Sequence, residues 1–254
     1  MKLRILGCSG GIGGQSKTTA MLLDNDILID AGTGVGSLGF DEMVKIDHIF
    51  VSHAHMDHVA FIPFLVDATG SVRDKPITVH ALADTLTCLR DHIFNWQIWP
   101  DFTKIPDNER PYLCYEPFSI GDTICLDNRE ITILPVNHTV AAVGFQLNSG
   151  VASLVFSGDT TNCDALWDAI NKIENLKYLI VESAFCNQQK EIAIKSKHLC
   201  PSLLIEELQK LKRPVELFIT HLKPSEADII MWEMHQFAGE YRPQRLENEQ
   251  LFEF

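Results

Sequence analysis

Six consecutive residues, 53-HAHMDH-58, carry four side chains able to ligate a metal: His53, His55, Asp57 and His58. Neutral imidazole and carboxylate form the donor set of Zn²⁺ and its first-row neighbours. The motif follows the apolar run DHIFVS (47–52) directly. A tight turn at the end of a buried strand can send His53 and His55 to one side and Asp57 and His58 to the other. One loop holds too few donors for two metals, and later strand ends supply the rest. His138 follows ITILPVN, Asp159 follows SLVFSG and His221 follows ELFIT. A lone histidine in such a place is more often a hydrogen-bonded loop residue than a ligand. Seven ligand-type residues, each just past a predicted strand, are not explained that way. The chemistry they suit is metal-dependent hydrolysis, because a bound cation lowers the pKa of water toward neutrality. His48, His80, His92 and His235 lack this setting and receive no role.

The elements that must position these residues follow from hydrophobic periodicity and turn residues. Lys2–Leu6 reads as a strand, Ala20–Asp24 and Ile27–Asp30 as a hairpin around Asn25-Asp26, and AGTGVGSLGF as a loop leading into a short helix. After the strand Asp47–Ser52, apolar residues at Val59, Ile62, Leu65 and Val66 predict a helix over His58–Ala68. Strand Pro76–His80 and helix Leu82–Phe94 come next. Residues 95–120, with four prolines, six aromatics and no clear period, read as an insertion. Thr123–Leu126 pairs with Ile131–Leu134, and Val143–Leu147 with Ala152–Phe156. Helix 162–173, strand 178–181, helix 201–211, strand 215–219 and helix 224–237 complete the pattern. Two strand-rich blocks, each closed by strand–helix alternation, imply an α/β fold: an αββα sandwich of two sheets with helices outside. The expectation is one domain over residues 1–254, with the Pro/aromatic-rich insertion at about 95–120.

Composition narrows the function classes. Hydrophobic residues make up 46% of 254 residues, enough for a sizeable core. With 34 acidic against 21 basic residues, a formal charge of −13 repels nucleic-acid backbones and anionic membranes. Seven scattered cysteines without a CxxC pair suit free thiols in a reducing compartment. Leu6-Gly7-Cys8 has the look of a lipoprotein box, but no secretory apolar stretch precedes it. No run approaches a membrane helix, so a cytoplasmic protein is expected. GGIGG (10–14) has the wrong spacing for a dinucleotide fingerprint and reads as a turn. Cys200, just before Pro201, reads as a helix-start residue rather than a nucleophile, since no base pairs with it.

HAHMDH, His138, SGDT (157–160) and THLKP (220–224) resemble the successive motifs of the metallo-β-lactamase superfamily, over nearly the whole chain. The resemblance implies that His53, His55 and His138 hold one metal, that Asp57, His58 and His221 hold the second, and that Asp159 bridges them. A hydroxide between the metals would be the nucleophile, with Asp57 counted among the catalytic residues as well as the ligands. Within the superfamily, IFNWQIWPDF (93–102), LPVNHTVAAVGF (134–145), VESAF (181–185) and KHLCPSLLIEEL (197–208) look most like class II cyclic-nucleotide phosphodiesterases. That family's form of the last motif reads GHLTP, so Lys197 and Cys200 depart from it.

This second resemblance implies hydrolysis of a 3′,5′-cyclic nucleotide, cAMP or cGMP, to the 5′-nucleotide. His198, outside the ligand set, is the candidate acid for the departing 3′ alkoxide. Trp96 and Trp99 are candidates for stacking on the base; pinning the insertion to its own domain, or a homodimer contact, are their other readings. The expected cofactors are two divalent metal ions, Zn²⁺ first, with Mn²⁺ or Fe also suiting the donors. The nearest rival is a tRNase Z-like endonuclease, which shares HxHxDH, but no basic arm for gripping tRNA is evident. A di-iron redox protein would place an acidic residue where His55 stands.

Overall fold

The computed structural model describes residues 1–254 and forms two seven-stranded sheets. The first contains β1 (Lys2–Gly7), β2 (Ala20–Leu23), β3 (Ile27–Ala31), β4 (His48–Phe50), β5 (Ile77–Ala81) and β6 (Leu113–Pro117). The second contains β7 (Thr123–Leu126), β8 (Arg129–Pro135), β9 (Val143–Asn148), β10 (Ser153–Phe156), β11 (Leu176–Glu182), β12 (Glu216–Thr220) and β13 (Gln244–Arg245). A last strand, β14 (Leu251–Glu253), returns to the first sheet and pairs antiparallel with β1. The orders are β14-β1-β2-β3-β4-β5-β6 and β13-β12-β11-β10-β9-β8-β7. Eight α-helices connect them: α1 (Phe40–Met43), α2 (Met56–Val59), α3 (Ile62–Thr69), α4 (Ala83–His92), α5 (Asp164–Ile170), α6 (Lys190–Ser196), α7 (Pro201–Leu208) and α8 (Ala227–Phe237).

Alternation along the second sheet divides two hydrophobic cores. Leu154, Phe156, Ile180 and Phe218 point inward and pack with the first sheet. Their neighbours Val155, Leu179, Val181, Leu217 and Ile219 point outward beneath α5, α7 and α8. A strand buried on both faces must be apolar at every position, which is why these strands read as unbroken runs. Strands β3, β4, β5 and β6 run parallel, as do β10, β11 and β12, so their carboxyl ends lie along common edges. This αββα arrangement is the one the sequence implies.

Two expectations need correction. The helix expected over His58–Ala68 is two helices, α2 and α3, interrupted at Ala60–Phe61. The Phe61 amide donates to Ala31 O at 2.9 Å, so it leaves the helical ladder to tie the segment after the 53–58 motif to β3. The segment at about 95–120 is not all excursion, because Leu113–Pro117 forms β6, parallel to β5 at the sheet edge. Pro117 is tolerated there because an edge strand can lack one donor. Helix α6 and strands β13 and β14 carried no periodic signal. No helix is long and apolar enough to cross a membrane.

Candidate metal centre

The carboxyl ends of β4, β8, β10 and β12 bring all seven predicted ligands to one place. Their donor atoms form two overlapping groups: His53, His55, His138 and Asp159, and Asp57, His58, Asp159 and His221. Within each, the donors lie within 4.8 Å of one another, and Asp159 is common to both. Asp159 Oδ2 stands 3.6 Å from His53 Nε2 and 3.4 Å from His58 Nε2, while Oδ1 is 3.3 Å from His221 Nδ1. His55 Nδ1 faces His138 Nε2 at 3.2 Å. Asp57, the one ligand-type carboxylate left partly open, lies 3.8 Å from His58 Nε2 and 3.7 Å from His221 Nε2.

Four buried polar atoms here have no hydrogen-bond partner: His53 Nε2, His58 Nε2, His221 Nδ1 and Asp159 Oδ2. Leaving one such atom unpaired costs about 1–3 kcal/mol. Four converging on one point are the signature of a place for cations, and the histidine/aspartate donor set fits divalent ones. Protonation preferences agree in part. Burial holds His53 well below its ordinary value and lowers His138 and His221 to about 4, keeping them as neutral imidazoles fit for ligation. Burial also opposes charge on His58, but Asp159 and Asp30 outweigh it and hold His58 well above its ordinary value. Burial alone would raise Asp159, yet His221, His58 and His53 hold it well below the carboxylate range.

A second layer orients the rings. Asp30, fully buried at the end of β3, lies 2.7 Å from His58 Nδ1 and accepts from Ser52 N and Oγ at 2.7 Å each. Ser52 Oγ is 3.0 Å from His53 Nδ1, and the Lys197 carbonyl 3.0 Å from His138 Nδ1. Each bond directs the opposite nitrogen of its ring toward the centre. The backbone is strained to match: Asp30, Lys197 and His221 have φ of 56°, 54° and 61°. Gly158, at φ 62°, could not carry a Cβ, which would stand 2.6 Å from Val143 O. Gly10 in the GGIGG run presses on the centre, since a Cβ there would stand 2.3 Å from His221 O.

His198 stands beside the ligands, its ring stacked on His221 with centroids 5.2 Å apart. Its Nδ1 lies 2.8 Å from Glu182 Oε1 and 4.0 Å from Asp159 Oδ2. Glu182 is fully buried at the end of β11 and accepts from the Thr160, Ala184 and Leu199 amides at 3.0–3.2 Å. Burial opposes charge on His198, but Glu182, seconded by Asp159, prevails and lifts it to about 9. Cys200 caps α7 ahead of Pro201, as the sequence implied. Trp96 is 60% exposed on a tight turn, with φ 65°, in which Asn95 Oδ1 accepts from Gln97 N and Ile98 N at 2.9 Å. Trp99 packs edge-on against Phe64 at 5.1 Å.

Sequence reasoning gave no role to Asp30, Ser52, Glu182 or Lys197. Asp30 and Glu182 shared the signal that located the ligands, an acidic residue closing an apolar strand. Ser52 and Lys197 act through a hydroxyl and a carbonyl, which spacing does not reveal.

Among known proteins, the beta-lactamase superfamily domain matches residues 25–222. A probable 3′,5′-cyclic-nucleotide phosphodiesterase of Yersinia pestis is 28% identical over 71% of this chain, a match spanning only 58% of that protein's length. The probable metallo-hydrolase YhfI of Bacillus subtilis is 35% identical over 87% of both chains. Ribonuclease Z of Halorubrum lacusprofundi matches a shorter stretch, 37% identical over 36% of this chain and 32% of its own. The crystal structure of unliganded yeast PDE1 superposes with a TM-score of 0.81 over 98% of both chains at 17% identity, a likeness of fold. The family match and the fold agree with the motifs at the strand ends: this chain belongs to the metallo-β-lactamase superfamily.

Proposed function

We propose that this protein is a dinuclear metal-dependent phosphodiesterase that hydrolyses a 3′,5′-cyclic nucleotide to the 5′-nucleotide. The observation that carries the reading is the buried His198–Glu182 pair beside two overlapping groups of ligand-type donors. Such a pair provides a proton for a poor alkoxide leaving group, which a cyclic diester has. His53, His55 and His138 would hold one cation, Asp57, His58 and His221 the other, and Asp159 would bridge. Zn²⁺ suits these donors best, with Mn²⁺ or Fe as alternatives. Two bound divalent cations supply activated water at neutral pH and offset phosphoryl charge.

The protein's own residues do the rest. Glu182 accepts from His198 Nδ1 and leaves Nε2, which has no protein hydrogen bond, to carry the proton toward the 3′ oxygen. Bound cations beside Asp159 would cancel part of the push that raises His198 and would favour release of its proton. Asp57, the most exposed of the site carboxylates, would orient the attacking water as well as ligate. Trp96 would stack on the base with its exposed face, while Trp99 packs on Phe64 and its carbonyl accepts from the Trp96 amide.

The cyclic-nucleotide specificity draws on the motifs at 93–102 and 197–208 and on the similarity to the Yersinia pestis protein. A ribonuclease Z reading is favoured by the Halorubrum lacusprofundi match and opposed by the charge of −13. A panel of cAMP, cGMP, a 2′,3′-cyclic nucleotide, bis(p-nitrophenyl) phosphate and precursor tRNA separates these readings. The proposal expects the 3′,5′-cyclic nucleotides to be cut fastest among natural substrates. Efficient cleavage of precursor tRNA with cyclic nucleotides untouched would transfer the assignment to the endonuclease.

A further inference from the structure

Lys197 ends α6 with φ 54° and ψ 46°, the left-handed region in which glycine sits with less strain than any residue bearing a Cβ. What holds a lysine there is its grip on His138 from two directions. Its carbonyl accepts from His138 Nδ1 at 3.0 Å, and its ammonium donates to the backbone oxygen of His138 at 3.0 Å. The same ammonium donates to Asn137 Oδ1 at 3.1 Å. Asn137 in turn reaches the loop that follows Asp159. Its amide donates to Thr160 Oγ1 and its Nδ2 to Asn162 O, both at 3.1 Å, and its carbonyl accepts from Thr161 N at 2.9 Å. One side chain therefore braces the end of β8, the end of β10 and the α6–α7 junction that carries His198. All its partners are neutral oxygens, although the chain carries 34 acidic residues.

We infer that Lys197 is a positioning residue that sets how tightly the His53–His55–His138–Asp159 group holds its cation. The inference rests on the reading of those four residues as ligands. The carbonyl fixes the His138 tautomer that leaves Nε2 free, and the ammonium restrains the loop from which that ring projects. Outer partners of this kind are worth roughly 10-fold to 100-fold in metal affinity. The ammonium's charge acts in the opposite sense, since it repels a nearby cation, so the direction of the change separates bracing from simple electrostatics.

The test uses full-length protein and Zn²⁺ in competition with a chromophoric chelator, for the wild type, Lys197→Met, Lys197→Gly and Lys197→Arg. Lys197→Met removes the charge and keeps the stem; Lys197→Gly also relieves the left-handed strain. Both should weaken one of two zinc equivalents by about 10-fold or more, and leave the other unchanged. The metal-free melting temperature should hold for Met and hold or rise for Gly, and Arg should restore part of the affinity. Activity on bis(p-nitrophenyl) phosphate should return at saturating zinc. Wild-type affinity or tighter binding in Lys197→Met would overturn the inference. So would a matched loss of both equivalents with a lowered metal-free melting temperature. A wild-type protein that takes up no zinc would instead overturn the metal-centre reading, and this inference with it.

Discussion

Which nitrogen of an imidazole carries its proton depends on what holds the other one, and around this centre four of the six rings are so held. Glu182 fixes His198, Asp30 fixes His58, and Ser52 and the Lys197 carbonyl fix His53 and His138. If His198 is the acid, His198→Ala should lower kcat on a cyclic nucleotide by about 10²-fold to 10⁴-fold. It should spare bis(p-nitrophenyl) phosphate, whose leaving group needs no proton. Equal losses on both substrates would remove His198 from that role. Glu182→Gln should act in the same direction more weakly, with the circular dichroism spectrum unchanged. Asp159→Ala removes the carboxylate common to both donor groups, so if it bridges two metals the change should abolish most activity and reduce bound metal while the fold survives. Full metal content in that variant would contradict the bridging assignment. The seven ligand-type residues were legible because each follows an apolar strand. The partners of their rings were not, because a hydrogen bond to a carbonyl or hydroxyl leaves no pattern in spacing.

Strands place this site, and their ends were the readable part of the fold. Apolar runs such as ELFIT and SLVF identify β12 and β10 because both faces of each are buried. Less legible were elements decided by tertiary contacts. The Phe61–Ala31 bond splits one periodic stretch into α2 and α3, and β6 is a strand by virtue of its pairing with β5. The turn at 95–99 presents Trp96, and if that ring stacks on the base, Trp96→Ala should raise KM for a cyclic nucleotide. A stacking contact of ~1–3 kcal/mol corresponds to roughly 10-fold to 100-fold. Bis(p-nitrophenyl) phosphate should be almost unaffected; a matched rise for both would exclude base stacking. On β4 and β5, away from the ligands, His48 Nδ1 meets His80 Nε2 at 3.0 Å, and Phe50 stacks on His80. Burial lowers His80 to about 4. Glu116 lies 3.5 Å from its Nδ1, but is largely exposed, so water screens it and burial prevails. A histidine whose folded-state pKa is depressed contributes stability in full above its unfolded value of about 6.5 and loses it as pH falls toward 4. The loss amounts to about 3 kcal/mol at most. Urea midpoints measured from pH 7 to pH 4 should fall less steeply in His80→Gln than in the wild type. Identical slopes would show that His80 does not take up a proton on unfolding.

Across the whole molecule, a charge of −13 surrounds a site that, on the proposed function, would receive an anion. Two divalent ions held at the strand ends would resolve that conflict locally, reversing the field where a phosphate would arrive and leaving the rest of the surface repulsive to polyanions. A small, singly charged cyclic diester meets little of that repulsion, whereas a tRNA meets much of it, at many phosphates. Membership of the metallo-β-lactamase superfamily fixes the sandwich and the place of the site; the substrate depends on the walls around it. The most direct measurement of the central claim is a metal titration followed by turnover. Metal-free protein should be titrated with Zn²⁺, and separately with Mn²⁺, while hydrolysis of cAMP to 5′-AMP is recorded against equivalents added. The account predicts negligible hydrolysis without metal and a rise that levels off at about two equivalents per chain. Full cAMP hydrolysis by the metal-free protein, or none at two bound equivalents, would contradict it.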